Sequence, residues 1–261
     1  MSVDSRPVVL VTGAARRVGR AIALELAAHG FDVAVHSHQA SDESGDTLHA
    51  ARESGARAEA FVADLANEAA CRALLPAVAA RMGRVDAVVN NASRFDYDSA
   101  ADCSHASMAA HWQVNTAAPV LLAAALHAQL AGTARRGCVI NLLDQKLWNP
   151  NPDHFSYTLS KAALEAATTL LAQAFAPTLR VVGVAPGVTL PSGPMDNAEF
   201  VRAHAMTPLR RSSTPEDVAR AVRFLIESPA ITGTTLLVDG GQHLAAQSRD
   251  VLFLARDGEG I

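Results

Sequence analysis

The feature that most constrains this chain is an alternation it keeps from one end to the other. Short apolar runs at residues 8–12, 32–37, 58–62, 87–90, 138–143, 181–185 and 236–238 read as strands. Between them, residues 17–29, 68–82, 108–131 and 155–175 carry the 3.6-residue apolar period of helices. "STPEDVARAVRFL" adds a helix start, with Thr214 as N-cap and Pro215 at the first helical position. The run at 138–143 has the character of a strand buried on both faces. Strands of that kind separated by helices build a mainly parallel sheet covered on both sides: a doubly wound, Rossmann-like α/β fold. No linker or low-complexity segment breaks the pattern, so one domain over 1–261 is expected. With 49% hydrophobic residues the chain can fill a sizeable core. The segment 187–213 has no clear period and is rich in Pro, Gly and Ser, as a lid or substrate-binding loop would be.

A formal net charge of -4 and a pI near 6.2, with no block of like charge, favour a small-molecule partner over nucleic acid or an acidic membrane surface. Cys71, Cys103 and Cys138 match neither a zinc spacing nor a disulfide framework, so reduced thiols and no metal site are expected. The start, "MSVDSRPVVLVTG", reads as a first strand rather than a signal peptide. Nothing approaches the length of a membrane span. A cytoplasmic location is the expectation.

"VTGAARRVGRAIALEL" follows the first strand. Gly13 and Gly19, with Val18 between strand and helix, bracket a turn where backbone N–H groups and the helix dipole attract phosphate. In an alternating α/β chain the first strand turn is also where nucleotides bind. Arg16 and Arg17 lie inside it, either as a solvated pair or as guanidinium groups for a second anion such as a 2′-phosphate. The second strand ends in "VHSHQAS", with His36, Ser37, His38 and Gln39 and no acid before Asp42. Hydrogen-bond donors there replace the carboxylate that would bind the ribose 2′-hydroxyl of NAD, which favours NADPH. Arg17, Ser37 and His38 are the candidates for the 2′-phosphate.

These pieces resemble the short-chain dehydrogenase/reductase family over roughly residues 8–244. "TGAARRVG" is similar to its T-G-x-x-x-G-x-G, with Arg17 in place of the middle Gly. "ADL" resembles the adenine-contacting D-[LV], which puts Asp64 and Leu65 near the adenine. "NNAS" resembles N-N-A-G, with Asn91, Ala92 and Ser93 beside the cofactor and Ser93 in the final Gly position. Asn115 matches the helix Asn of the family's catalytic group. "YTLSK" is similar to Y-x-x-x-K, with Tyr157 and Lys161. "APG" matches the turn over the nicotinamide, with Pro186 and Gly187, and "VDGG" the last strand. Physical chemistry gives Tyr157 and Lys161 a role of their own. Four residues apart on a helix they share a face, and a nearby ammonium lowers a phenol's pKa toward working pH. Lys161 could also bond the nicotinamide ribose. The bland alternatives are an exposed Tyr/Lys pair and a helix-interior Asn.

In the family a Ser commonly stands about thirteen residues before the Tyr; counting back from Tyr157 gives Asp144. A hydroxyl can donate to a ketone oxygen as charge builds there, whereas an ionised carboxylate only accepts. Unless it is held protonated, Asp144 therefore argues against an ordinary ketone and for a C=N bond whose nitrogen must gain a proton. Two subgroups resemble this arrangement, pteridine reductases and dihydromonapterin reductases. They share the Arg in the glycine turn, the Asp-Tyr-Lys set, and an aromatic residue after "NNAS", here Phe95. In pteridine reductases that ring stacks on the pterin. The resemblance implies a substrate site of Arg17, Ser93, Phe95, Asp144 and Tyr157, and a homotetramer. Gln39 departs from the Arg that pteridine reductases tend to carry. Phe95 as core packing and Asp144 as a turn cap are the alternatives. Trp148 and "NPNP" either line the cleft or only shape a loop.

The reading is an NADPH-dependent reductase of a dihydropterin- or dihydrofolate-type substrate. A carbonyl reductase and a non-catalytic NADP(H)-binding protein are its competitors. The tail, residues 245–261, either covers a neighbouring subunit's cleft or packs on its own domain.

Overall fold

Seven strands, β1 (Val8–Val11), β2 (Asp32–Ser37), β3 (Ala58–Val62), β4 (Ala87–Asn90), β5 (Gly137–Leu142), β6 (Leu179–Pro186) and β7 (Thr235–Val238), pair in one sheet. All neighbours are parallel, in the order β3-β2-β1-β4-β5-β6-β7. The computed structural model describes residues 6–191 and 195–257; residues 192–194 of the expected loop and 258–261 of the expected tail lie outside them. The helices, in chain order, are α1 (Arg17–Ala28), α2 (Asp42–Glu53), α3 (Glu68–Met82), α4 (His105–Trp112), α5 (Ala118–Leu130), α6 (Phe155–Phe175), α7 (Asn197–Ala205), α8 (Pro215–Glu227) and α9 (Val251–Asp257).

Alternation along the strands divides the core into two layers. Val9 and Val11 pack with Ile140, Ile22 and Leu26 of α1 and Val222 of α8. Val8 and Leu10 point the other way, onto Leu74 and Val78 of α3 and Leu122 and Leu126 of α5. Each large aliphatic side chain so enclosed contributes about 1.5–3 kcal/mol. The strand order reverses between β1 and β4, and a crevice opens there beyond the carboxyl ends of the strands. Thr12, Ser37, Ala63, Asn91, Asp144 and Gly187 all follow or end strands on that side.

The expected strands and main helices are present, and Thr214 caps α8, its hydroxyl accepting from Asp217 N at 3.3 Å. Four differences have physical causes. α2 lacks an apolar stripe and buries only Ser44, Thr47 and Ala51, so its period is faint. The helix expected over 108–131 is broken by a π turn, Gln113–Ala117, in which Ala118 N donates to the Gln113 carbonyl. Pro119 has no N–H to offer the Asn115 carbonyl four residues back, which disfavours a continuous α-helix there. The expected loop contains α7, started by a capping box between Asp196 and Glu199. The tail forms α9, whose Val251, Leu252 and Ala255 bury against Met195 and Ala203, so it packs on its own domain. Among the described residues, no helix is long and apolar enough to cross a membrane.

Candidate active site

The turn after β1 is held from three sides. Thr12 Oγ1 accepts from the N–H groups of Asn91 and Ala92, both at 3.0 Å. The Asn91 amide donates back to the carbonyls of Thr12 (2.9 Å) and Gly13 (3.2 Å). Gly13 has φ +63°, and a Cβ on Gly19 would lie 2.2 Å from the Gly13 carbonyl oxygen. Gly19→Ala is therefore expected to destabilise the fold by about 1–3 kcal/mol, read as a lower Tm; an unchanged Tm would mean the turn has room that this packing denies. Arg17, also left-handed at φ +55°, donates from Nη2 to the Pro191 carbonyl at 2.9 Å and so spans the cleft to the loop after β6.

His36 is turned to a different use from the one expected. Its Nδ1 accepts from Gly13 N at 3.2 Å, and its Nε2 lies 3.1 Å from the Ala63 carbonyl. That leaves Nε2 as the protonated nitrogen and no donor free for an anion. Burial pushes its pKa down to about 4 from 6.5, against the Ala63 bond. A histidine depressed in this way takes up its proton in the unfolded chain first. Stability is then full above pH 6.5 and falls as pH drops from 6.5 to 4, by about 3 kcal/mol. Urea unfolding at pH 7.5 and 4.5 should show a smaller acid loss in His36→Asn than in the parent; equal losses would refute the assignment.

A cavity of about 930 Å³ lies over this turn. Of the expected cofactor residues, Gly13, residues 16–19, 36–38 and 64–65, and residues 91–93 line it; Lys161, Pro186 and Gly187 do not. Arg16 pairs with Glu43 at 3.7 Å, and His38 stands 3.6 Å from Asp64. Ser37 donates to the Gln39 carbonyl at 2.8 Å. Ser41, Glu43, Arg94 and Val114 also line the cavity and were not anticipated. The first two arrive with α2, whose one sequence signal was the Ser41 cap and the acids after it. Gly187 is needed by packing, since a Cβ there would meet Ser212 Oγ at 2.5 Å.

Beside the cavity, Asp144, Tyr157, Lys161 and Asn115 come together from β5, α6 and the π turn. The Tyr157 hydroxyl donates to Asp144 Oδ2 at 2.8 Å. Asp144 Oδ1 accepts from Lys146 N at 2.9 Å and caps the 3-10 turn Gln145–Trp148. The carboxylate that caps this turn and the one that receives Tyr157 are thus the same group, with one oxygen for each bond. Lys161, 3% exposed, donates to the Leu142 carbonyl at 2.7 Å. Asn115 receives Arg94 N (2.7 Å) and donates to the Arg94 carbonyl and Ser160 Oγ, both at 2.9 Å, so it clamps the segment after β4 to α6. Ser93 also reaches Asn115 Oδ1, at 3.2 Å. The buried Asp98 fixes the start of α6 by accepting from Ser156 N at 2.8 Å and from its hydroxyl.

The electrostatics correct one expectation. The phenol of Tyr157 is not drawn toward working pH; burial, then the charge and hydrogen bond of Asp144, push it well above 10. Asp144 is itself pushed up, by burial, against the bonds from Lys146 and Tyr157. Lys161 is lowered to about 8 by burial, with Asp144 acting the other way. The result is a phenol that keeps its proton and directs it at a carboxyl group whose proton affinity burial has raised. Phe95 is 40% exposed rather than core; its ring stacks on His154 at 4.2 Å and meets Tyr157 edge-on at 4.7 Å.

Comparison with known proteins agrees with this geometry. A family model described as enoyl-(acyl carrier protein) reductase matches residues 13–243. Pteridine reductase 1 of Leishmania tarentolae is 33% identical over 281 residues, covering 91% of this chain and 96% of that protein. A Streptomyces violaceoruber protein described as granaticin polyketide synthase putative ketoacyl reductase 2 is 35% identical over 254 residues, with the same coverage of both chains. The crystal structure of FolM alternative dihydrofolate reductase 1 from Brucella canis, complexed with NADP, superposes with a TM-score of 0.87 at 40% identity, covering 94% of this chain and 98% of that one. With the parallel sheet, the glycine turn and the Tyr157–Lys161 pair in place, these matches identify the chain as an oxidoreductase of the short-chain dehydrogenase/reductase family.

Proposed function

We propose that this reductase acts on a pterin-like substrate of the dihydropterin or dihydrofolate type. The observation that carries the reading is the 2.8 Å bond from Tyr157 to Asp144, where a ketone-reducing site would want a hydroxyl donor. The cofactor is NADPH. The cavity fits it: the glycine turn with Gly13, Arg16, Arg17 and Gly19 lines it, and the end of β2 carries His36, Ser37 and His38 instead of an acid. Residues 13–19 would hold its phosphates, Arg17, Ser37 and His38 the 2′-phosphate region, and Asp64 and Leu65 the adenine. When bound, NADPH supplies the hydride for a ring carbon.

This chain's own residues handle the proton. Asp144, its proton affinity raised by burial, carries the proton and delivers it to the substrate nitrogen, and the carboxylate left behind is held by the hydrogen bond from Tyr157 Oη. Lys161 keeps a positive charge beneath the pair, and Asn115 holds the segment carrying Arg94 and Phe95 against α6. The exposed ring of Phe95 beside Tyr157 offers a surface on which a flat heterocycle can stack, worth about 1 kcal/mol.

A ketone reductase is the second reading. It is favoured by the raised Asp144, which as a neutral acid could donate to an oxygen, and by the likeness to a ketoacyl reductase. Steady-state assays with NADPH against dihydropterins, dihydrofolate and simple ketones separate the two; good ketone turnover without pterin turnover would end the pterin reading. A homotetramer belongs to the same proposal, supported by the exposed apolar side chains Trp112 on α4 and Leu159 and Leu170 on α6. Light scattering tests it, and cell fractionation tests a cytoplasmic location.

A further inference from the structure

Lys146 is 3% exposed and the proton chemistry above makes no use of its ammonium. A charge taken out of water is costly unless it is paired, so its partners carry information. The main chain of Lys146 bonds Asp144 Oδ1 at 2.9 Å. Its Nζ donates to the Asp153 carbonyl and pairs with Asp250 Oδ2 at 3.3 Å. Asp250 belongs to the tail, and the tail is fastened at this point. Asp250 N donates to Asp153 Oδ2 at 2.8 Å, and Arg249 grips the same carboxylate at 2.8 and 2.9 Å. Asp250 Oδ1 accepts from Leu252 N at 3.1 Å and so starts α9.

Charges from three elements therefore act on Asp144: Lys161 from α6, Lys146 from the 3-10 turn and Asp250 from the tail, while Asp153 and Arg249 fasten the tail beside it. We propose that Asp250 and Lys146 are positioning residues of the active site: the tail carboxylate and the buried ammonium, set against each other, hold Asp144 in place and tune its proton affinity. The C-terminal segment is then a working part of the catalytic site. The proposal rests on Asp144–Tyr157 as the proton-delivering pair, not on which substrate is reduced.

The signs are fixed by Coulomb's law. The Asp250 carboxylate disfavours a charged Asp144, and the Lys146 ammonium favours it. Asp250→Asn should move the Asp144 titration to lower pH, and Lys146→Met should move it to higher pH. The double variant should return toward the parent.

The test is an NMR titration of the full chain labelled at tyrosine Cζ, without substrate. The protein has two tyrosines, Tyr97 and Tyr157, so Tyr157→Phe assigns the resonance that senses Asp144. Opposite shifts in the two single variants support the proposal. Shifts of the same sign, or one curve for all proteins, overturn it, because a purely structural staple would not tune the pair in opposite directions. Should Lys146→Met not fold, the Asp250→Asn arm decides alone: a shift to lower pH supports the proposal, and no shift or a rise overturns it. Absence of pterin turnover would refute the substrate reading and leave this titration interpretable.

Discussion

Asp144→Ser is expected to lower turnover of a dihydropterin about a hundredfold or more, while ketone turnover by the same variant holds or rises. The serine hydroxyl can still accept from Tyr157, so the arrangement of α6 survives. What is lost is a group that can hold a proton for a substrate nitrogen; what is gained is a donor suited to an oxygen. Asp144→Asn is the companion, since its side-chain oxygen can keep the bond from Lys146 N that caps the 3-10 turn. If the loss came only from the cap, Asn would be nearly silent. If it comes from proton transfer, Asn and Ser lose pterin activity alike. The measurement is kcat for both substrate classes with saturating NADPH. Full pterin activity in the Ser variant would sink the role given to Asp144.

Tyr157→Phe has the second large effect, a fall in kcat of about 10²–10⁴-fold with little change in KM for NADPH. The hydroxyl's proton is aimed at Asp144, and its removal leaves Oδ2 of that carboxyl without the Tyr157 donor. Melting temperature should fall only modestly, since a single hydrogen bond is lost and the ring still packs against Phe95. The pH profile gives an independent check. Tyr157 titrates too high to set an alkaline limb near neutrality, but Lys161, at about 8, can. Below 8 its ammonium is intact and activity is full; as pH rises through about 8 the charge is lost and kcat should decline. Lys161→Arg, charged throughout, should remove that decline. An alkaline limb unchanged in Lys161→Arg would mean that another group sets it.

Much of this architecture is legible in the sequence. Strands buried on both faces write themselves as continuous apolar runs, so β1, β4 and β5 were legible in "VVLV", "AVVN" and "CVINL". The glycine turn was legible because Gly13 and Gly19 stand where other residues cannot. Elements without a continuous apolar stripe of their own are not. α2 offers no stripe, and α7 and α9 acquire an apolar face only by meeting each other. The π turn had a visible cause in Pro119, which the apolar period around it outweighed.

The site divides in the same way. Chain spacing alone put Tyr157 and Lys161 on one helical face and Asp144 at a strand end. It could not say which way the phenol's proton points, because that depends on burial and on the distance to Asp144. His36 looked like a donor for an anion until the fold used both ring nitrogens on Gly13 and Ala63. Asp98, Lys146 and Asp250 carried no local signal, since their meaning comes from Ser156, Asp144 and one another across long stretches of chain. Periodicity dictates the sheet and its first turn before any packing is known, while the proton-handling set is visible mainly through the family resemblance. The direction in which each group's proton affinity moves comes from the fold, because it is set by desolvation and by charges brought together from distant segments.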